Sequence, residues 1–556
     1  MNRVQRALLV LAVGAMFSAC GSRPAYWDQS APAPAVATYG LQEGVAVVDS
    51  ANSRLVFLSA LPAQQLSAQQ LPVAHNPVTT TVSPDGRSLF ILASGDWPVQ
   101  TAADQLPSLT RVSQSPSSST TVPAKMTATQ FWMSNPLQNL VVDPGEHWAV
   151  AYAGAQTNFV QNVSELVLFD LTQAPNPSSP SARLDETRSP NPVSRTIQAF
   201  GGIPQQLSFT AALNLGGGLT RHLLLMETNI DVTLVDMDDA FPVPPATAPP
   251  ETTVRLTNGT DGTMVTPAGL AVYPGDPSGP ARLAIRASND TNVFTLVLGP
   301  STPTINLTDV GGIPSDMAFV MTDAPTDGGL RLAALVPSNS NAVLVEPDTS
   351  LTTTVSLDAA YTSLSLVTQA LGTPAPTVDV ALLWGAPSGA TYGVELWTLG
   401  NSVGTPYRSV QGVDVSQSIQ AVDDVPGNAQ LKVLEVTGGS EFVVLNLVTQ
   451  NAAPLETSQS ASLMIAPDGL RMWVFTPQGT NLASIDFKDL NPVRLTTDLP
   501  INAVYDVSRV DSTPADPQRS LVAIHQLGTL GATVFDALNP SPITSRRADA
   551  LLLEGP

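Results

Sequence analysis

The stretch TVSPDGRSLFIL, beginning at Thr81, constrains the fold more than any other part of the chain. It reads as strand, Pro-Asp-Gly turn, strand. Pro84 presets its own backbone angle, and Asp85 and Gly86 accept the tight or left-handed conformations that reverse a chain between two strands. LMIAPDGLRMWVF from Leu463 repeats the pattern, with Pro467, Asp468 and Gly469 in the turn. The apolar runs that follow, Leu89 to Leu92 and Met472 to Phe475, are short and continuous, as in strands buried on both faces between neighbouring sheets.

Degraded copies of a four-part unit continue to the C-terminus: an inner strand, a Pro/Gly/Asp turn, a buried strand, an Asn turn, a third strand closed by Asp, and a Thr-rich outer strand. The Asn turn falls at Asn229, Asn292, Asn341 and Asn481, and the closing Asp at Asp170, Asp236, Asp486 and Asp536. Both residue types bond to nearby backbone and tolerate left-handed geometry, which accounts for them without chemistry. Inner strands are predicted near Val78, Leu137, Gln205, Ala268, Asp316, Ser363, Ser418, Ala461, Asn502 and Ala548. Four strands recurring every 40 to 50 residues mark the blades of an all-β propeller. Ser113 to Gln130, Thr172 to Pro192 and FPVPPATAPP from Phe241 lengthen the early repeats and read as surface loops. The nominal count is ten four-stranded blades; a single ring of seven to ten, or two smaller rings, fits the same text. VAVVDS at Val45 lacks an inner strand before it and ADALLLEGP at Ala548 has nothing after it, so pairing of N- and C-terminal strands is expected to close the ring.

SPDGR, a following strand, an Asn turn and a strand ending in Asp together resemble the YVTN or lactonase-like class of β-propellers, and more loosely WD40 or TolB-type repeats. The resemblance covers nearly all of the chain beyond its N-terminal segment, through turn and packing residues that any such blade requires. It implies a rigid ring with variable loops and, in the lactonase-like case, a hydrolase with its site at the central channel.

The N-terminus carries a second resemblance. Arg3 and Arg6 precede an apolar run from Ala7 to Phe17, too short to span a bilayer but fitting a secretory signal. Phe17-Ser18-Ala19-Cys20 then Gly21 resembles the lipobox of bacterial lipoproteins, with Phe17 in place of the usual Leu. The resemblance implies cleavage before Cys20, the only cysteine in the chain, and acylation there by palmitate-like chains. The expected organisation is a signal peptide over 1–19, a lipidated cysteine and tether over 20–38, and a propeller over 39–556. Gly21 resembles outer-membrane sorting, with the body facing periplasm or exterior and held to the membrane through the anchor alone.

Charged residues make up only 13%, Gly (38) and Pro (49) abound, and the net charge is −22. That composition suits many short strands joined by turns and argues against nucleic acid, whose phosphates need a basic surface. His75, His147, His222 and His525 lie in different repeats without metal-ligand spacing, and read as solvated or satisfied. Asp236, Asp238 and Asp239, or Asp423 and Asp424, could offer oxygens to Ca2+, but neither group has an EF-hand loop and both sit where turns want Asp. No cofactor is otherwise expected. Gly216-Gly217-Gly218 has no GKS or GKT after it, and no GxSxG elbow occurs. The leading reading is a non-catalytic scaffold that binds an envelope protein or glycan through the insertions at 172–192 and 238–251; the alternative is the lactonase-like hydrolase.

Overall fold

The computed structural model describes residues 36–549 except 60–65, 116–122, 155–162, 177–190, 198–201, 242–250, 259–261, 277–278, 300–302, 323–328, 369–378, 386–392, 400–406, 410–417, 437, 440, 458–459, 509–518, 528 and 542–544. The signal segment, Cys20 and most of the tether therefore lie outside the described residues.

The chain forms ten four-stranded antiparallel sheets, each with its strands in sequence order apart from one inserted hairpin. They are the blades of a β-propeller, numbered 1 to 10 along the chain. Their inner strands are Ala37–Leu41, Pro77–Val82, Asn139–Val142, Pro204–Phe209, Pro267–Tyr273, Asp316–Met321, Ser363–Leu366, Ile419–Asp424, Ser462–Ile465 and Ala503–Ser508. Nine lie where the repeat pattern places them. Third strands end at Asp170, Asp236, Asp486 and Asp536 as read from the repeats.

The alternation of apolar side chains explains why the sheets form a ring. In the second strand of blade 2, Leu89 and Ile91 pack with blade 1 residues such as Phe57, while Phe90 and Leu92 pack with Phe169 of blade 3. Met472 and Val474 face blade 8 and Trp473 and Phe475 face blade 10 in the same way. Each sheet is thus apolar on both faces and needs two neighbours. Ten separate apolar clusters fill the ten interfaces, and the last joins Val507, Val522, Ile524 and Val534 of blade 10 to Val45, Val47 and Val56 of blade 1. One ring of ten is the result, and no sheet face at either end of the chain is left bare.

Closure differs from the expected shared blade. Blade 1 has its own inner strand, Ala37–Leu41, and Arg546–Asp549 is the outer strand of blade 10, paired with Thr529–Asp536. The expectation at Ala548 fails because the first-to-second connection of blade 10, at 509–518, stretches that repeat and makes its fourth strand look like a new first one. Leu551 to Leu553 lie outside the described residues. What closes the ring is side-on contact between whole blades. Tyr505 lies against Gly40, where a Cβ would sit 2.6 Å from the ring. Its hydroxyl bonds to Thr38 Oγ1 (2.8 Å) and donates to the Thr38 carbonyl (2.7 Å). Ser508 N donates to the Gln42 carbonyl (2.7 Å) and Gln526 Nε2 to that of Val36 (2.8 Å). Tyr505→Phe is expected to lower stability by about 1 kcal/mol, the net worth of such a bond, with thermal melts as the check; an unchanged melting temperature would show that the hydroxyl plays no part in closure.

Candidate functional site

In every blade the first-to-second and third-to-fourth connections emerge at one end of the ring, and the remaining connections at the other, because the four strands alternate in direction. The turns read from the sequence lie at the first of these ends. Gly86 and Gly469 have φ of +69° and +63°, and their amides donate to Ser83 and Ala466 carbonyls at 2.9 and 2.8 Å. Asp85 accepts from Ser83 Oγ (2.6 Å) and Arg87 N (2.9 Å), which ties down the turn. Pro84, Asp85, Gly86, Pro467, Asp468 and Gly469 are therefore turn residues. Both Pro-rich insertions connect third to fourth strands, in blades 3 and 4, and so emerge at this same end; their centres, 177–190 and 242–250, lie outside the described residues.

Between the roots of those insertions the structure assembles an aromatic group that the sequence kept apart. Asp143-Pro144-Gly145-Glu146 is another copy of the turn, with Glu146 at φ +54°, and it delivers His147 and Trp148 to the start of a second strand. His222 occupies the corresponding place in blade 4. The Trp148 ring centre is 5.5 Å from that of His147 and 5.4 Å from that of His222, and it stacks on Phe209 at 6.5 Å. Each histidine rests on an aspartate through both backbone and ring: His147 N and Nδ1 are each 3.1 Å from Asp143 Oδ2, and His222 N donates to Asp238 Oδ2 at 2.8 Å while Nδ1 lies 3.2 Å from Oδ1. The His147 side chain remains 59% exposed. Arg221 spans Asp236 (3.1 Å) and Asp239 (3.6 Å); burial pushes the Asp236 carboxyl up, and Arg221 opposes that shift. The result is a ridge of indole, two imidazoles and carboxylates, able to stack and hydrogen-bond.

The first-to-second connection of blade 4 adds a hairpin, Leu213–Asn214 with Thr220–Arg221. Gly216, Gly217 and Gly218 form its tip, all at positive φ, so this run is a turn. Asn214 reaches blade 5, donating to the Pro274 carbonyl from N (2.8 Å) and to that of Asp276 from Nδ2 (2.7 Å).

The other residues singled out in the sequence are dispersed. His75 Nδ1 lies 2.8 Å from Asp96 at the opposite end of blade 2. His525 is buried, with Nδ1 on the Pro500 carbonyl (2.9 Å) and Nε2 on Thr533 Oγ1 (2.8 Å). Asp424 is paired with Lys432, and burial raises the Asp423 carboxyl, helped by Glu435 and Asp424. A cavity of about 690 Å³ between blades 7 and 8 is lined by Asp379 and Asp424, but Asp379 is taken up by Met321 N (2.6 Å) and Thr368 Oγ1 (2.7 Å). Among the described residues no group of three or more His, Cys, Asp and Glu is spaced to hold a metal ion. Sequence reasoning missed the convergence of His147 and His222 on Trp148, although both follow the first turn of consecutive repeats and equivalent positions of consecutive blades are neighbours in a ring.

No protein-family model matches the chain, and no curated protein matches it. Among solved structures it is similar to the dihydro-heme d1 dehydrogenase NirN in complex with DHE, at 12% identity and a TM-score of 0.37, over 87% of this chain and 76% of that one. It is also similar to AztD from Citrobacter koseri, at 9% identity and 0.32, over 84% and 97%, and to the Cps50 (Swd1) β-propeller domain from Myceliophteria thermophila, at 12% and 0.32, over 65% and 96%. Values this low carry no functional argument.

Proposed function

We propose that this chain is a lipid-anchored β-propeller of the bacterial cell envelope, held at the outer membrane, that binds a protein or glycan without catalysis. The observation that carries the reading is the convergence of His147, Trp148, His222 and their aspartates between the roots of the two Pro-rich insertions. A rigid ring supports such a surface, and the loops around it vary without cost to the core. The inner strand of blade 1, Ala37–Leu41, starts at the end of the ring opposite the ridge. Aromatic faces bordered by carboxylates and imidazoles suit the apolar and hydroxyl surfaces of a sugar, or a basic and aromatic patch on a protein.

The test is cross-linking of intact cells that carry tagged protein, followed by capture in detergent. One specific envelope partner is expected, lost on Cys20→Ala and reduced about tenfold, as for loss of a strong contact, in the His147→Ala/His222→Ala double variant. Capture that is undiminished when both histidines and both insertions are removed would refute the assigned surface. An empty capture together with turnover in a lactone hydrolysis screen would instead favour the hydrolase.

A further inference from the structure

The outer strand of each blade ends its sheet, so its outward N–H and C=O groups offer themselves to any extended chain. Proline and charged side chains on such an edge discourage that pairing. Nine of the ten outer strands carry a proline or a charged residue, such as Pro72 in Ser67–Pro72, Lys125 in Lys125–Trp132 and Arg494 in Pro492–Thr496. In blade 2 the edge is closed further by Gln69 of blade 1, whose side-chain amide takes both the N–H (2.8 Å) and the carbonyl (3.0 Å) of Met126. The outer strand of blade 6, Thr352–Ser356, reads TTTVS and has no such protection. Thr352, Thr353, Thr354 and Ser356 are exposed. Leu351, just before them, is 63% exposed, more than any other large apolar residue among the described residues. The nearest acids ahead of the strand, Glu346 and Asp348, are held by Arg331 (2.8 Å) and Arg282.

The ladder fixes where the backbone groups of this strand point. Leu357 N donates to the Ser340 carbonyl and Glu346 N to that of Leu351, both at 2.8 Å. In the same register Thr353 faces Leu344 and Val355 faces Ala342, so 351, 353, 355 and 357 bond inward. Antiparallel ladders alternate, and Thr352, Thr354 and Ser356 therefore turn their N–H and C=O groups out of the blade. These groups are placed symmetrically about Thr354.

We propose that this edge pairs with the same edge of a second copy of the chain, antiparallel, across a two-fold axis at Thr354. Thr354 then meets Thr354 and Thr352 meets Ser356, so each outward group of the strand finds a partner, as an isologous contact requires. Thr353 meets Val355, a β-branched cross-strand pair. Asp358, just past the strand, falls opposite Ser350, so no charge faces its own kind. Two chains of net charge −22 repel each other at most approaches, and the uncharged edge is where that repulsion is least. This surface is separate from the ridge on blades 3 and 4.

Sedimentation velocity of the full chain in mild detergent tests the pairing, together with oxidative cross-linking of Thr354→Cys in a Cys20→Ala background. One strand pair buries less than a standard interface, so a dimer that dissociates on dilution is expected. Thr354→Cys should give a disulfide-linked dimer, and Val493→Cys, at an exposed outer-strand position of blade 9, should give none. Thr354→Lys, which sets two like charges on the axis, is expected to abolish the dimer; Thr352→Lys, away from the axis, should do the same should the first variant not fold. A monomer at every concentration with no link through Cys at 354, or a dimer that persists in both lysine variants, overturns the proposal. Linking through 493 as readily as through 354 overturns it as well, since collision would then explain both. A monomeric chain that captures a different protein through this edge, lost on Thr354→Lys, overturns the second copy as the occupant.

Discussion

Asp506→Ala is expected to lower the stability of the ring by about 3–5 kcal/mol, the range seen when one member of a buried ion pair is removed. Asp506 lies on the inner strand of blade 10 and points to blade 9, with its carboxyl fully shielded from solvent. It accepts from Trp473 Nε1 (2.8 Å) of blade 9 and from Arg519 Nε (3.1 Å) and Nη2 (2.6 Å) of its own blade. Arg519 also pairs with Asp468, in the Pro-Asp-Gly turn of blade 9. The four groups lock one blade to the next, and alanine would leave the indole N–H unpaired and the guanidinium with half its partners. Chemical denaturation of the variant is compared with a Trp473→Phe control, which keeps the Asp506–Arg519 pair but loses the indole bond and part of the buried ring; equal stability of wild type and Asp506→Ala would refute the lock. A pH signature accompanies it. Burial pushes the Asp506 carboxyl up to about 7 and the Arg519 guanidinium down to about 10. The carboxyl is therefore the ionised partner of Arg519 above about pH 7, where the Asp506→Ala comparison is made, and a neutral acid below it; the folded chain holds the proton more tightly than the unfolded chain, so this group's contribution is full below about pH 4 and is lost as pH rises through about 7. Asp506→Asn should flatten the change in melting temperature between pH 5 and pH 8.

Gly469→Ala is expected to cost more than its conformation alone explains. Its φ of +63° disfavours any side chain, by about 1–3 kcal/mol. In addition, an added Cβ would lie 1.8 Å from the Pro426 carbonyl oxygen, in the equivalent turn of blade 8, so one backbone must move. Gly217 is the matched control: its φ is +62°, yet nothing lies within 4 Å of a Cβ there. Gly469→Ala should therefore destabilise by about 3–5 kcal/mol once forced overpacking is added, and Gly217→Ala by only about 1–2 kcal/mol. Denaturation of both variants side by side checks the difference; equal losses would mean that turn-to-turn contact between blades contributes nothing.

Gly469 also shows why some of the architecture was legible. Its need for a left-handed turn is local, so the dipeptide Asp-Gly between two apolar runs reveals it. The apolar runs themselves reveal two-faced burial, and nine inner strands follow from the turns alone. The contact with Pro426 is not local and leaves no mark in the text. The first inner strand, Ala37–Leu41, escaped because its five residues, ATYGL, lie in a Ser/Pro/Ala-rich stretch and acquire strand character only by pairing with Gly44–Asp49. The candidate surface was half legible. The insertions at 172–192 and 238–251 could be assigned to one end from strand order, but the group of His147, Trp148, Phe209 and His222 required the ring, since it unites residues of two repeats.

What the sequence by itself determined is the repeating unit: turn chemistry and a period-two pattern of apolar residues act over a few residues and depend on little else. Only the tertiary structure decided that there are ten blades in one ring and that the ends join by side-on packing of complete blades. Those outcomes depend on how much side-chain volume each pair of facing sheets brings to their common interface. That volume is summed over residues far apart in the chain, and no single repeat contains it.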